Sequence, residues 1–263
     1  SRGLGDVYKR QLLGSESIAI YGDFDADGIC GTALLTQGLS WLGGRTTPYI
    51  PHRLKEGYGL NSASLESLYQ QGVTLVITVD CGIGSIHEVE RAERKGLDII
   101  ITDHHSISHI LPSALAIINP KRESSAYPFP QLAGVGVAFK LLQALFQTLG
   151  KKEPLDELLD IVALGTVADV VPLVGENRYL VKRGLEALGK TQRLGLQEMV
   201  HMVGLQLGSL NTEHISWILA PRLNAPGRLD HALTSYRLLV TDSPEEARQL
   251  AQELEEKNTQ RQR

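Results

Sequence analysis

The sequence predicts an α/β fold: a parallel-sheet domain with helices on both faces, followed by a helical segment and a connector helix. Three observations predict it. Short apolar, β-rich runs at Ile18 to Tyr21, Leu75 to Val79 and Asp98 to Thr102 alternate with stretches of helical periodicity. Such βαβ alternation argues parallel strands joined by right-handed crossovers. Glycines at Gly43-Gly44, Gly72 and Gly96 stand where those helices should stop. From Gly134 onward the pattern is helical.

Taken in order, Ile18 to Tyr21 reads as a buried strand, Gly22 to Gly28 as its loop, and Ile29 to Leu42 as a helix with Ile29, Ala33, Leu34 and Leu39 inward. Thr46 to Ile50 is a short strand. Pro51 to Leu60 is a polar loop carrying His52, Arg53, Lys55 and Tyr58. Asn61 or Ser62 starts the next helix, with Leu65 and Leu68 inward. Strand Leu75 to Val79, loop Asp80 to Gly84, helix Ser85 to Lys95 and strand Asp98 to Thr102 follow. The Pro-rich stretch Asn119 to Pro130 is a surface loop. Helices are expected over Val137 to Leu149, Pro154 to Leu164, Asn177 to Leu188, Leu194 to Val203 and Asn211 to Leu219, with Asp169 in the turn Thr166 to Pro172. Ser243-Pro244-Glu245-Glu246 is a capping box with proline at the first helical position. Behind it, Ala247, Leu250, Ala251 and Leu254 make a narrow apolar stripe. That helix reads either as an interdomain connector or as a terminal helix docked on this domain.

A chain of 263 residues, 42% hydrophobic and 21% charged, can bury a sizeable core. No run approaches the ~20 apolar residues of a membrane span, and no signal peptide is visible. Cys30 and Cys81 give no disulfide framework and read as small buried hydrophobes. A cytoplasmic location fits. Residues 1–11 show no periodicity that joins the first strand and are read as foreign to the fold, so that the domain runs over 12–240 and the connector over 241–263.

The chemistry lies in the loops after the strands: Asp23-Phe-Asp25-Ala-Asp27-Gly28, Asp80-Cys81-Gly82, Asp103-His104-His105, and then Asp169. In an open α/β sheet such loops converge on one crevice. Carboxylates and imidazoles gathered there suit divalent metals, with too little sulfur for a structural zinc site. Two metals about 3.5–4 Å apart need a bridging carboxylate and further terminal ligands. Asp25 and Asp27 alternate along an expected extended loop and can serve different ions, Asp80 is the natural bridge, His104 offers a neutral imidazole, and Asp169 adds an oxygen from across the cleft. The chemistry is metal-assisted attack on phosphorus. His105 remains free to bond a phosphoryl oxygen or assist the leaving group. Histidine with carboxylates suits Mn²⁺ better than an all-oxygen Mg²⁺ cage, Mg²⁺ being the alternative.

The formal charge of −4 is unusual for a protein acting on nucleic acid, but two divalent cations would bring it near zero. Charge therefore neither excludes nor requires a polyanionic substrate. His87, His109, His201, His214 and His231 lack ligand-spaced partners. Lys182-Arg183 and Lys190 to Arg193 read as solvated helix ends, or else as a DNA-facing patch. Gly134-Val-Gly136 lacks the ending of a phosphate loop and fits close packing or a tight helix entry instead.

Tyr21-Gly-Asp-Phe-Asp-Ala-Asp-Gly28, Val79-Asp-Cys-Gly82, Thr102-Asp-His-His105 and Thr166-Val-Ala-Asp-Val-Val-Pro172 resemble the successive motifs of the DHH phosphoesterase superfamily. More narrowly they resemble its RecJ family of single-strand-specific exonucleases. Family II pyrophosphatases and the nano-RNA and cyclic-dinucleotide phosphodiesterases usually open the first motif with a histidine, where this chain has Tyr21 and, further on, Asp23. Pro51-His-Arg-Leu-Lys-Glu-Gly-Tyr-Gly-Leu-Asn61, Gly134-Val-Gly-Val-Ala-Phe-Lys140 and Pro221-Arg-Leu-Asn-Ala-Pro-Gly-Arg228 are also RecJ-like. The resemblance implies 5′-to-3′ hydrolysis of single-stranded DNA to mononucleotides in recombination and repair, alongside a helicase and a single-strand-binding protein, with no membrane. It implies that Asp27, Asp80, His104 and Asp169 hold one metal, and that Asp25 and Asp80 with Asp23 hold the other. His105 would face the scissile phosphate, and Asp103 would brace the histidines. Arg222, Asn224 and Arg228 are candidates for gripping the DNA backbone, or else they pack between the last helices. The competing expectations are a nano-RNase or cyclic-dinucleotide phosphodiesterase, and a non-catalytic replication scaffold. Family members carry a further DHH-associated domain beyond a long connecting helix, so this chain alone is expected to bind metal but to cleave weakly.

Overall fold

The computed structural model describes residues 16–152, 154–229 and 231–263. The expected foreign leader, residues 1–11, and the expected domain start at 12 lie outside them. Among the described residues, five strands form one parallel sheet in the order β2-β1-β3-β4-β5: β1 (Ser17–Gly22), β2 (Arg45–Tyr49), β3 (Leu75–Val79), β4 (Asp98–Thr102) and β5 (Ala116–Ile118). Buried on both faces, the inner strands are continuous apolar runs. The fifth strand is only three residues long, too short for periodicity to reveal.

Helix α1 (Ala26–Trp41) follows β1. A short turn, α2 (Arg53–Glu56), interrupts the loop after β2, and α3 (Ser62–Gln70) and α4 (Ile86–Glu93) flank β3. Alternate strand residues face opposite ways. Ile18, Ile20, Leu75 and Ile77 pack with α1 and with α5 (Gly134–Leu149) and α6 (Leu159–Ala168). Ala19, Tyr21, Val76, Ile99 and Ile101 pack instead with Leu65, Leu68 and Val89 of α3 and α4. Helices therefore cover both faces, as expected.

The remaining helices enlarge the first core: α7 (Gly175–Leu188), α8 (Leu194–Met202), α9 (Thr212–His214), α10 (Ala220–Leu229), α11 (Leu233–Val240) and α12 (Pro244–Gln262). The helix expected to end at Leu219 continues through a π turn at Ile215–Leu219 into α10. Pro221 lacks an N–H, and a widened turn ahead of it absorbs that loss without breaking the helix. Ser243 caps α12 as expected, its hydroxyl accepting from the Glu246 N–H at 3.2 Å, and Ala247, Leu250, Ala251 and Leu254 are buried. Both cysteines are buried and free, which bears out their reading as small hydrophobes. Arg193 departs from the expected solvated patch. Its side chain is 11% exposed and its guanidinium reaches Asp160 at 3.1 Å, the Leu239 carbonyl and Gln37, so three separate elements meet on it. Among the described residues no helix is long and apolar enough to cross a membrane.

Candidate metal centre

Strands β1 and β3 are neighbours, yet the helices that follow them, α1 and α4, lie on opposite faces. The chain thus leaves a crevice above their carboxyl ends, the usual ligand position in such sheets. The loops expected to carry chemistry open into it.

The first loop is shorter than the sequence suggests. Asp25 is the N-cap of α1, its Oδ1 accepting from the Asp27 and Gly28 N–H groups at 3.0 and 3.1 Å. Asp27 thus sits in the first helical turn, not on an extended loop. An aspartate followed by small residues is itself a helix start. The turn folds back so tightly that a Cβ on Gly28 would lie 2.6 Å from the Asp23 backbone. Asp27 is buried, and its two oxygens accept from the Gly134 and Val135 N–H groups at 2.6 and 2.8 Å. The start of α5 therefore points its free amides at this carboxylate. Gly134 admits the approach: a Cβ there would lie 2.6 Å from that of Asp80. Close packing is what this glycine permits.

Asp80 adopts a left-handed backbone, φ 63°. For a non-glycine residue this costs about 1–2 kcal/mol, a penalty that aspartate tolerates better than most. The Asp80 N–H donates to the Thr102 carbonyl at 3.0 Å, which ties the turn to β4. After β4, Asp103 is fully buried. Its Oδ1 accepts from the His104 and His105 backbone amides at 2.7 and 3.0 Å and lies 2.8 Å from His105 Nδ1, and its Oδ2 accepts from the Ile83 N–H at 3.0 Å. These bonds, His105's foremost, hold its carboxyl below the usual value although burial opposes them. Asp169 caps the end of α6, and Val170 next to it is left-handed at φ 61°.

His104 Nε2 lies 3.0 Å from Asp80 Oδ1, 3.5 Å from Asp169 Oδ2 and 3.9 Å from Asp27 Oδ2. His105 Nδ1 lies 3.7 Å from Asp80 Oδ1. Among the described residues, three donor sets each gather within 4.8 Å: Asp23 with Asp25 and Asp80, Asp27 with His104 and Asp169, and Asp80 with His104 and His105. Asp80 and His104 belong to two sets each. Asp80 Oδ1, His104 Nε2 and Asp169 Oδ2 are buried without a hydrogen-bond partner. Buried polar atoms left unpaired are costly, and a cation is what such a set of acceptors fits.

Burial, then the neighbouring Asp25 carboxylate, pushes Asp23 and Asp169 up to about 7. Asp27 and Asp80 rise well above the normal range for the same reasons, with Asp169 the leading neighbour of Asp27 and Asp27 that of Asp80. Burial, reinforced by His105, lowers His104 to about 4, so its imidazole is neutral at physiological pH and its lone pair is available. His105 moves up, chiefly through its bond to Asp103.

A cleft of about 700 Å³ beside these groups is lined by Asp23, Asp25, Arg53, Tyr58, Asp169, Asn224 and Arg228 among others. A larger one, about 1050 Å³, surrounds Trp41 and Arg193 at the far end of α1 and holds none of the clustered donors. Of the three residues expected to grip DNA, Arg228 is exposed on the smaller cleft. Asn224 lines it too, but its Oδ1 accepts from the Ala26 N–H at 2.7 Å. Arg222 lies elsewhere, bonded to Glu255 and, at 2.7 Å, to the Ile218 carbonyl. Residue patterning alone did not single out Asn119, whose side chain donates to the His105 carbonyl at 3.0 Å; Arg53, named only as part of the polar loop, is stacked 5.0 Å over the Phe24 ring. Tyr21 is buried and its hydroxyl donates to the Gly59 carbonyl.

The N-terminal domain of the DHH family matches residues 17–166. The single-stranded-DNA-specific exonuclease RecJ of Bacillus subtilis is 46% identical over 258 residues, which cover 98% of this chain and 32% of that protein. A crystal structure of exonuclease RecJ bound to manganese superposes with a TM-score of 0.87 at 38% identity, covering 98% of this chain and 65% of that one. RecJ of Thermus thermophilus in complex with Mg²⁺ gives 0.72 at 33% identity, covering 98% and 34%. The chain thus spans 32% to 65% of the length of these relatives. With a family match over more than half its residues, and similarity to RecJ proteins over nearly all of them, the chain belongs to the DHH family.

Proposed function

We propose that this chain forms the catalytic centre of a metal-dependent phosphodiester hydrolase, a single-stranded-DNA-specific exonuclease that releases 5′-mononucleotides from the 5′ end. One observation carries the reading: buried acceptors from four loops converge with Asp80 Oδ1, His104 Nε2 and Asp169 Oδ2 unpaired. The names of the RecJ relatives supply the substrate class. Asp27, Asp80, His104 and Asp169 would hold one divalent ion, and Asp23, Asp25 and Asp80 a second. Mn²⁺ is preferred over Mg²⁺ for the imidazole in the set. Bound cations would supply activation of water and neutralisation of the charge developing on phosphorus.

The chain's own groups do the rest. Neutral His104 presents a lone pair, and Asp103 fixes the ring of His105. With Nδ1 bonded to Asp103 at 2.8 Å and Nε2 3.4 Å from the Tyr58 hydroxyl, His105 would turn Nε2 to a phosphoryl oxygen or to the proton the leaving oxygen takes. Arg228, exposed on the cleft, would meet the DNA backbone. The setting is recombination and repair in the cytoplasm, with a helicase and a single-strand-binding protein as partners.

The test is a long 5′-labelled single-stranded oligonucleotide with Mn²⁺, run beside a dinucleotide and a cyclic dinucleotide, with EDTA and Asp80→Ala as blanks. Labelled mononucleotide released from the long strand and absent from both blanks is the expected result. Turnover of the dinucleotides alone would replace this reading with a nano-RNase.

A further inference from the structure

The Asp80 carboxylate belongs to two of the three donor sets, yet its backbone is in a conformation that non-glycine residues avoid. What holds it there lies in the strand beneath. Thr78 is fully buried within the apolar run Leu75–Val79, where a β-branched hydrophobe would fill the space equally well. Its hydroxyl donates to the Cys81 carbonyl at 2.7 Å and accepts from the Thr102 N–H at 3.2 Å. Thr102, also fully buried, returns a bond from its own hydroxyl to the Thr78 carbonyl at 2.6 Å.

These bonds begin where the regular ladder between β3 and β4 ends, at the pair Ile77 and Ile100. They extend the pairing of the two strands into the loops that carry Asp80 and Asp103. The bond from Thr78 to Cys81 closes directly over Asp80, since it joins the residues on either side of the left-handed turn. Gly82 completes it at φ 105°, and a Cβ there would come within 3.2 Å of the Thr78 hydroxyl.

We infer that Thr78, through its hydroxyl, is a positioning residue that clamps the Asp80 turn in its left-handed form and thereby aims the Asp80 carboxylate into the metal centre. Thr102 is the partner strand's half of the clamp. The inference rests on the metal-centre reading for its consequence, but its structural core does not depend on it.

The experiment compares wild type with Thr78→Val, which keeps the shape and removes the hydroxyl, and Thr78→Ser, which keeps the hydroxyl. Crystal structures report the Asp80 φ and carboxylate position, and titration calorimetry reports Mn²⁺ affinity. Residues that orient metal ligands typically account for about 10–100-fold in affinity. We expect the valine variant to lose affinity in that range with Asp80 out of the left-handed region, and the serine variant to bind within about threefold of wild type. An Asp80 unmoved in the valine variant overturns the inference, as does a serine variant as weak as valine. If Thr78→Val does not fold, Thr78→Ala, whose smaller side chain lets the turn relax, takes its place with the same readings. Were wild type itself to bind no Mn²⁺, the metal reading would fall while the position of Asp80 still decided this one.

Discussion

At the scale of single residues, Asp103 shows how little freedom the centre has. One oxygen serves two backbone amides and the His105 ring, and the other serves the Ile83 amide. An asparagine has one acceptor oxygen, so its amide would face a backbone or ring donor whichever way it turned. Asp103→Asn should therefore reduce turnover of the oligonucleotide by about 10–100-fold, with His105 no longer held. Undiminished turnover in that variant would show that His105 needs no fixed orientation. Gly134 is tied to the same centre by its amide and by its missing side chain together. Steric room and hydrogen bonding meet there, at a glycine the linear pattern marked for close packing or a tight helix entry.

At the scale of elements, α10 and α12 separate two roles that the sequence left joined. Arg222 is one-seventh exposed and binds Glu255 across to α12, whereas Arg228, two turns on, is exposed beside the cleft. Arg222→Ala should lower stability by about 1–2 kcal/mol in urea unfolding, the range for a partly buried, charge-assisted bond. Arg228→Ala should change stability by less than about 0.5 kcal/mol. It should instead weaken single-stranded DNA binding and reduce its salt slope by about 1. If Arg222→Ala weakened DNA binding at unchanged stability, its guanidinium would be serving the nucleic acid. The strands and their loops were legible because a buried parallel strand is a bare apolar run and the polar loop after it marks its end. Asp23, Asp80, Asp103 and His104 are read that way. The start of α1 was not, since Asp25 is at once a site residue and a cap, and composition alone cannot tell a loop from a capped first turn. Nor was Arg193, whose burial depends on Asp160, 33 residues earlier. Thr78 hides for the opposite reason: inside an apolar run a threonine looks like any other β-branched residue.

At the scale of the whole molecule, the centre opposes folding until it is neutralised. In the metal-free chain Asp23 and Asp169 titrate near 7 against an ordinary 3.8, and Asp27 and Asp80 are also raised. A carboxyl with a raised folded-state pKa contributes stability that is present below the unfolded value and lost as pH climbs through the folded one. Raised His105 acts in the same sense. His104 acts oppositely: at about 4 against 6.5, it favours folding as pH rises between those values. Four carboxyls and His105 outweigh one imidazole, so metal-free stability should fall from about pH 4 to about pH 7. Cations bind the deprotonated groups, and their stabilisation should therefore grow over the same interval. With Mn²⁺ at about a hundred times its Kd near pH 7.5, linkage gives about 2.7 kcal/mol, shrinking toward pH 5.5 as protons compete. Urea unfolding in EDTA and in Mn²⁺ at both pH values measures the difference directly. An Mn²⁺ stabilisation equal at the two pH values would mean that the ion binds away from these carboxyls.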